Sequence, residues 1–480
     1  MAQPRRQPHE STLTERPPSQ HVGDLADGAS APALVLVWSE DEPERVGEVL
    51  VLPLAVGVPF SIGRALDPGE DGALPLVFRR LRPHAAETTG PFGAARISRY
   101  QVRLLLGADE SLHVEHTGRG ALQVQGAPAQ RATLRHGDVL WVVGRFMLLY
   151  SRRPVDWPRG DRFGAPFPFG AADGSGLVGE SVAAWNLRRQ VAFLAARGEH
   201  ALVYGPSGSG KELVVRAIHA ASSRGNLPLV ARNAATIPES LIDAELFGNL
   251  KNYPNPGMAD RVGLLGEADG STLFLDEIGE LSHTLQAHLL RVMDSGEYQR
   301  LGEAARRTTR ARLIAATNRD PAVLKHDLLA RFAHRLRVPG LGERPEDVPL
   351  IARHQLRQFA AEDPALRRFF VGEEPRLSPQ LAHALVRHAF TTHTRELSEI
   401  LWRSIAGSRG ATIELPPDFE PSAAPAPRES AESIDPKGLT REQIVAALTR
   451  HNGVRELAWR ELGLRSRDQL KRLLKKYDIA

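Results

Sequence analysis

From Pro32 to about Arg152 the apolar positions fall in short runs: ALVLVW, EVLVLPL, RISRYQVRLLL, SLHVEH and DVLWVVGRFMLLY. Turn residues separate them and no helical period appears, which predicts a β-sandwich. From about Leu177 to Gly340 the rhythm changes. HALVYG, LPLVARN, STLFLDE and ARLIAATN are apolar enough for buried parallel strands, and helical stretches alternate with them, so this part reads as α/β. Pro345 to about Leu415 is mainly helical and predicts a small satellite bundle. Leu439–Ala480 reads as three short helices. Thr440 with Gln443 and Ser466 with Gln469 form capping boxes, and Gly463 stops the middle helix. In the last helix Leu470, Leu473, Leu474 and Tyr477 form an i, i+3, i+4, i+7 stripe able to pack inward.

The segments between these blocks divide the chain. Residues 1–31 are polar and Pro-rich, an expected disordered stretch. Residues 153–176 (containing WPRGDRFGAPFPFGAADGSG) and 416–438 read as linkers. The expected domains are therefore 32–152, 177–340, 341–415 and 439–480. Such a division suits 480 residues, too many for one typical core.

Composition narrows the chemistry. There is no cysteine, which excludes disulfides, thiolate metal sites and cysteine nucleophiles and suits a reducing cytoplasm. The longest early apolar run, Ala33–Trp38, is far too short to span a bilayer, and no signal-peptide core precedes it. A cytoplasmic protein with no membrane partner is expected. The net charge of +4 is small, so where the positive charge lies matters more than its sum.

GPSGSGKE (Gly205, Pro206, Ser207, Gly208, Ser209, Gly210, Lys211 and Glu212) follows a strand and opens a helix. In that setting the GxxxxGK spacing is a P-loop: its amides and the helix N-terminus close around phosphates, and Lys211 meets the β and γ phosphates of ATP. Glu212 stands where most P-loops place a hydroxyl for Mg²⁺. The metal then relies on water, phosphates and Asp276, at the end of STLFLDE, with Glu277 polarising the attacking water. Asn318 ends IAATN beside the expected nucleotide crevice. A structural rival is an ordinary Gly-rich turn with acids closing a strand. A functional rival is a non-catalytic DNA-binding scaffold in which nucleotide only sets oligomeric state.

Together GPSGSGKELVVRAIH, ARNAATIPESLIDAELFG, GLLGEADGSTLFLDEIGEL, IAATN and LGERPEDVPLIA resemble the AAA+ domain of bacterial enhancer-binding proteins, the activators of σ54 RNA polymerase. The resemblance runs from about Leu177 to Leu415 and implies an AAA+ core with a helical lid. Glu commonly follows the P-loop Lys in that family, so Glu212 is no sign of a dead site. By resemblance, Asn233 restrains Glu277 until the γ-phosphate is sensed. Arg331 matches an arginine finger reaching the neighbouring subunit's ATP, and the other finger position holds Lys325. Arg395 matches the lid's nucleotide sensor, although FTTHT replaces the usual Trp-Pro-Gly-Asn before it. A finger in trans implies a ring, by resemblance a hexamer.

One stretch departs from the family. In ELFGNLKNYPNPGMADR (Glu245–Arg261), residues 252–257 stand where the family carries a Gly-Ala-Phe-Thr-Gly-Ala loop that pushes on σ54. The Phe and Thr are gone, and Pro254 and Pro256 stiffen the segment. Either Tyr253 meets a different partner in a σ54-independent regulator, or the contact with σ54 RNA polymerase holoenzyme has been rebuilt.

The flanking domains carry resemblances too. SIGR and ISRYQ resemble the phosphothreonine-binding loops of forkhead-associated (FHA) domains, with Arg64, Ser98 and Arg99 at matching positions. An arginine and a hydroxyl suit a phosphate dianion. Gln101 replaces the usual His, and HTGRGALQVQG lacks the Asn-Gly-Thr that grips the ligand backbone, so a purely structural or protein-docking sandwich stays open beside a phosphothreonine protein partner. The C-terminal segment resembles a Fis-type helix-turn-helix, which binds DNA as a dimer. Arg465, Ser466, Arg467, Lys471, Arg472 and Lys475 are its candidate DNA contacts. A solvated helical hairpin is the bland alternative.

Overall fold

Two sheets, of eight and five strands and antiparallel except for the parallel pairing of 59–62 with 74–75, face each other at the front of the chain. The computed structural model describes residues 29–420, apart from His84, Glu110 and residues 156–165, together with residues 441, 444, 445, 474 and 477. Residues 1–28 of the expected disordered segment, most of the second linker and the six candidate DNA contacts (Arg465, Ser466, Arg467, Lys471, Arg472, Lys475) lie outside the described residues, while Ser30 and Ala31, read as the end of that segment, open the first strand by pairing with Pro154 and Arg153. The chain divides into two units, 1–422 and 423–480. Within the second, Ile444 and Leu474 are buried, and Arg441 Nε donates to the Tyr477 carbonyl at 3.4 Å.

In the sandwich, β1 (Ser30–Ser39), β2 (Val139–Val142) and β3 (Phe146–Pro154) lie side by side in the larger sheet. Leu34, Leu36, Leu140 and Leu148 point to the inter-sheet core with Phe60, Phe92 and Val102. The opposite face of these strands is buried as well. An antiparallel sheet with one wet face alternates apolar and polar positions, whereas the runs ALVLVW, DVLWVV and FMLLY do not. Their outward residues Val37, Trp38, Trp141, Met147 and Leu149 pack on Ala382 and Val386 of the lid. The Trp38 indole donates to the Leu377 carbonyl at 3.0 Å, and Trp141 stacks on His383. A salt bridge of 3.0 Å between the buried Arg153 and Glu346 ties the same sheet to the start of the lid.

The core is a five-stranded parallel sheet flanked by helices. Its elements are α1 (Val182–Ala195), β4 (Ala201–Tyr204), α2 (Lys211–Ala220), β5 (Leu229–Asn233), α3 (Ile242–Phe247), β6 (Thr272–Asp276), α4 (His283–Ser295), β7 (Arg312–Thr317), α5 (His326–Arg331) and β8 (His334–Arg337). Strand order is β5-β6-β7-β4-β8. Asn233 pairs with Asp276 and Tyr204 with Thr317, so the carboxyl ends of four strands meet along one edge. Ligands of open parallel sheets bind at that edge. The lid is α6 (Val348–Glu362), α7 (Pro379–Arg387) and α8 (Thr394–Gly407) around Leu356, Phe369, Leu385 and Leu401.

The stretch read as the first linker is anchored over its described part. Arg82 donates to the Phe167 carbonyl at 2.8 Å and binds Glu180, and its guanidinium lies 4.3 Å from the Phe167 ring centroid. Among the described residues no helix is long and apolar enough to cross a membrane.

Candidate active site

The loop from Gly205 to Gly210 turns out of β4 into α2. Gly210 caps α2 with φ +98, a conformation glycine adopts without strain. Lys211 is buried, and its Nζ donates to the carbonyls of Gly205 (3.0 Å) and Pro206 (3.2 Å), folded into the space the loop encloses. Burial lowers the Lys211 pKa, while Glu277 and then Asp276 pull it back up. The lysine thus lies within electrostatic reach of both carboxylates of the β6 terminus. Glu212 lies outside this cluster: it pairs with Arg216 one turn along α2 at 2.7 Å.

Asp276 Oδ1 accepts the Glu277 amide at 3.0 Å. Glu277 has φ +52, an uncommon conformation for a non-glycine residue, and strain of this kind concentrates at functional sites. Its Oε2 accepts the Asn318 amide at 3.1 Å. The ends of β6 and β7 are thereby joined beside the P-loop. The donor set suits a hydrated Mg²⁺ held by Asp276 and phosphate oxygens. Asn233 differs from expectation: its side chain accepts the Ala235 amide at 2.9 Å, capping a short turn, and makes no bond to Glu277. An Asn before a turn is drawn to such local capping.

The lid reaches the same loop. Arg395 Nη1 donates to Ser207 Oγ at 3.2 Å, and Thr394 donates to the Gly208 carbonyl through its amide (3.1 Å) and hydroxyl (2.7 Å). Arg331 lies at the far end of α5, partly exposed and forked onto Asp294 of α4. It is not part of the P-loop cluster within one chain. Lys325 forms the N-cap of α5, and its amide donates to Gln286.

Residues 252–257 form a closed loop. Asn252, with φ +64, accepts the Gly257 amide at 3.0 Å, and the Tyr253–Pro254 peptide is cis. Its base is fixed from below: buried Asn249 donates to the carbonyls of Leu250 and Ala259, and Arg300 binds both the Asn249 carbonyl (2.7 Å) and Asp260 (2.6 Å). Tyr253 rests against Gly302 and remains 46% exposed, so it is the large apolar side chain at the tip.

In the sandwich the two arginine-bearing loops meet. The amides of Arg64 and Ala65 donate to the carbonyls of Ser98 (3.1 Å) and Arg99 (3.0 Å), placing Arg64, Ser98 and Arg99 on one rim. Arg64 Nε donates to the Ile97 carbonyl at 2.6 Å. Gln101 is fully buried; it accepts the Ser98 amide, donates to the Arg119 carbonyl and contacts His116. It locks the Ser98 loop from below, and stays away from the rim.

Residues 177–341 match the family described as Sigma-54 interaction domain. The chain is 36% identical over 321 residues to the transcriptional regulatory protein ZraR of Salmonella typhimurium, covering 65% of this chain and 71% of that protein. The chain belongs to the sigma-54-dependent transcriptional activators. It is also 34% identical over 308 residues to the Nif-specific regulatory protein of Azotobacter vinelandii, covering 61% of this chain and 57% of that one. Among solved structures it is similar to NtrX from Brucella abortus in complex with ATP, at TM-score 0.43 and 29% identity, over 63% of this chain and 69% of that one. The shared core of this activator family is a P-loop NTPase, and the cluster of Lys211, Asp276, Glu277 and Arg395 lies within it or on its lid. Asp294, Thr394 and His393 escaped the sequence reading. Asp294 carries no signal beyond its place on α4, whereas His393, inside the departing FTTHT, could have been suspected from that departure alone.

Proposed function

We propose that this activator hydrolyses ATP at the Lys211 site in an oligomeric ring and spends the energy remodelling σ54 RNA polymerase holoenzyme. The observation that carries this reading is the convergence of Lys211, Asp276, Glu277 and Arg395 on one P-loop. Lys211 and the loop amides would hold the phosphates, Asp276 would hold Mg²⁺, whose charge would stabilise the transferred phosphoryl group, and Glu277 is placed to accept the proton of the attacking water. Arg331 is paired with Asp294 and not with the P-loop of its own chain, so it serves a neighbour's ATP once it exchanges Asp294 for phosphate; a hexameric ring is the assembly by family resemblance. Asn233 acts on Glu277 only after it leaves its cap on Ala235. Tyr253 is the contact that replaces the family's Phe.

The front and rear domains complete the reading. The rim of Arg64, Ser98 and Arg99 is the right chemistry for a phosphothreonine, with Gln101 fixing the hydroxyl-bearing loop. The basic residues Arg465 to Lys475 supply phosphate contacts on DNA, as a dimer of helix-turn-helix modules. The test of the ATPase is a pair of variants: Lys211→Ala is expected to lose nucleotide binding and Glu277→Ala to bind without turnover. Normal turnover in both contradicts the assignment. Titration of a phosphothreonine peptide against wild type and Arg64→Ala tests the rim, where equal affinities remove the phosphate role.

A further inference from the structure

The segment 391–394 fills the gap between three parts of the ATPase: the P-loop, the crossover from β8 into the lid, and the start of α8. Its contacts require glycine on both sides. A Cβ at Gly208 would lie 2.1 Å from the Thr392 carbonyl oxygen, and one at Gly340 would lie 2.5 Å from His393 Cε1. The His393 ring therefore occupies the space a side chain at Gly340 would need. It is buried, its Nδ1 accepts the Leu341 amide at 3.3 Å, and its carbonyl accepts the Leu397 amide at 2.9 Å in the first turn of α8. His393 holds φ +50, a left-handed conformation that costs a non-glycine residue free energy unless its surroundings enforce it. The rest of the segment is fastened by Glu396, which accepts the amides of Thr391 and Thr392 and contacts His388.

We infer that His393 is a positioning residue for ATP hydrolysis: its ring pins the lid segment to the Gly340–Leu341 crossover, and so sets Arg395 over the P-loop. The inference rests on the ATPase reading above. Arg395 follows His393 by two residues and reaches Ser207 beside the Thr394 bond to Gly208. Nδ1 accepts only while it carries no proton, and the enclosure favours that state: burial lowers the imidazole pKa, Glu343 and Glu396 oppose this, and Arg344 and Lys211 reinforce it. The phosphates themselves are held by the P-loop. Misplacing Arg395 therefore slows turnover while leaving most nucleotide affinity intact.

The test measures steady-state turnover and ATP affinity on the full chain. His393→Ala is expected to lower kcat about tenfold or more, as small misplacements of reacting groups do, with Kd for ATP within about threefold of wild type. His393→Asn, which tolerates a left-handed backbone and keeps an acceptor, is expected to recover most of the loss. Gly340→Ala is the second arm and covers a failure of His393→Ala to fold. Its φ of −73 suits alanine, every hydrogen-bonding group stays, and only the ring is pushed, so a similar fall in kcat is expected. Wild-type turnover in both His393→Ala and Gly340→Ala overturns the inference, as does an equal loss of binding and turnover. Lys211→Ala separates the two levels: turnover in that variant overturns the ATPase reading itself, whereas its inactivity beside a fully active His393→Ala overturns only the role of His393.

Discussion

In the proposed ATPase, Lys211, Glu277 and Arg331 differ in the way each is held before nucleotide arrives. Lys211 is parked on two loop carbonyls, which it must release to meet phosphate. Glu277 is fixed by the Asn318 amide and by its own strained backbone. Glu277→Gln keeps the shape and removes the base. Its turnover is expected to fall about 10²-fold or more, the usual worth of a general base, with ATP still bound; single-turnover and binding measurements separate the two. Arg331 is held by Asp294, a partly exposed pair of the kind that contributes only about 0–1 kcal/mol. Asp294→Ala frees the finger, so turnover at low protein concentration is expected to rise by no more than about fivefold, the factor that free energy allows. A fall in turnover would show that Asp294 orders Arg331 for its neighbour instead.

At the scale of elements, what could be read from sequence followed from local chemistry. GPSGSGK demands a strand before it and a helix after it, and β4 and α2 are there. The loop after α3 was visible as two prolines, but its footing on Asn249 and Arg300 comes from residues 40–51 positions apart and has no local signature. Asn233 was read for the opposite reason: its role was carried over by resemblance, and in this structure its side chain caps the nearest amide instead of meeting Glu277. Gln101 read as a departure from the histidine usual at its position. In the fold it satisfies the Ser98 amide and the Arg119 carbonyl from inside. Gln101→Ala is expected to destabilise the sandwich by about 1–3 kcal/mol, the cost of leaving buried polar groups unpaired, seen as a lower urea midpoint. The 391–394 segment is pH-sensitive through Glu396. Burial alone would raise its pKa, but bonds from His388, Thr392 and Thr391 leave it below the ordinary value. A folded pKa below the unfolded one gives stability that is fully present above about pH 4.3 and lost as pH falls through the folded value. Urea midpoints measured down to pH 3.5 are therefore expected to fall less steeply in Glu396→Gln than in wild type.

For the first unit as a whole, the sandwich, core and lid share surfaces that the sequence reading separated into domains joined by a linker. The clue lay in the unbroken apolar runs of β1, β2 and β3, which bury two faces where a free sandwich needs one. Trp38 and Trp141 are the residues that turn the second face into a joint with α7. Truncating a buried Trp costs about 3–5 kcal/mol. The double variant Trp38→Ala/Trp141→Ala is expected to split one thermal transition into two in calorimetry, and an unchanged single transition would show that the joint carries no cooperativity.

The account stands on catalysis shared across a subunit boundary, and mixing two inactive variants tests it most directly. Arg331→Ala retains a complete pocket without a finger to lend, and Glu277→Gln retains the finger without a base. Mixed in equal amounts they are expected to regain about a quarter of wild-type ATPase activity, because random assembly in a closed ring pairs an intact pocket with an intact finger at one boundary in about four. A mixture no more active than its separate components would contradict the account.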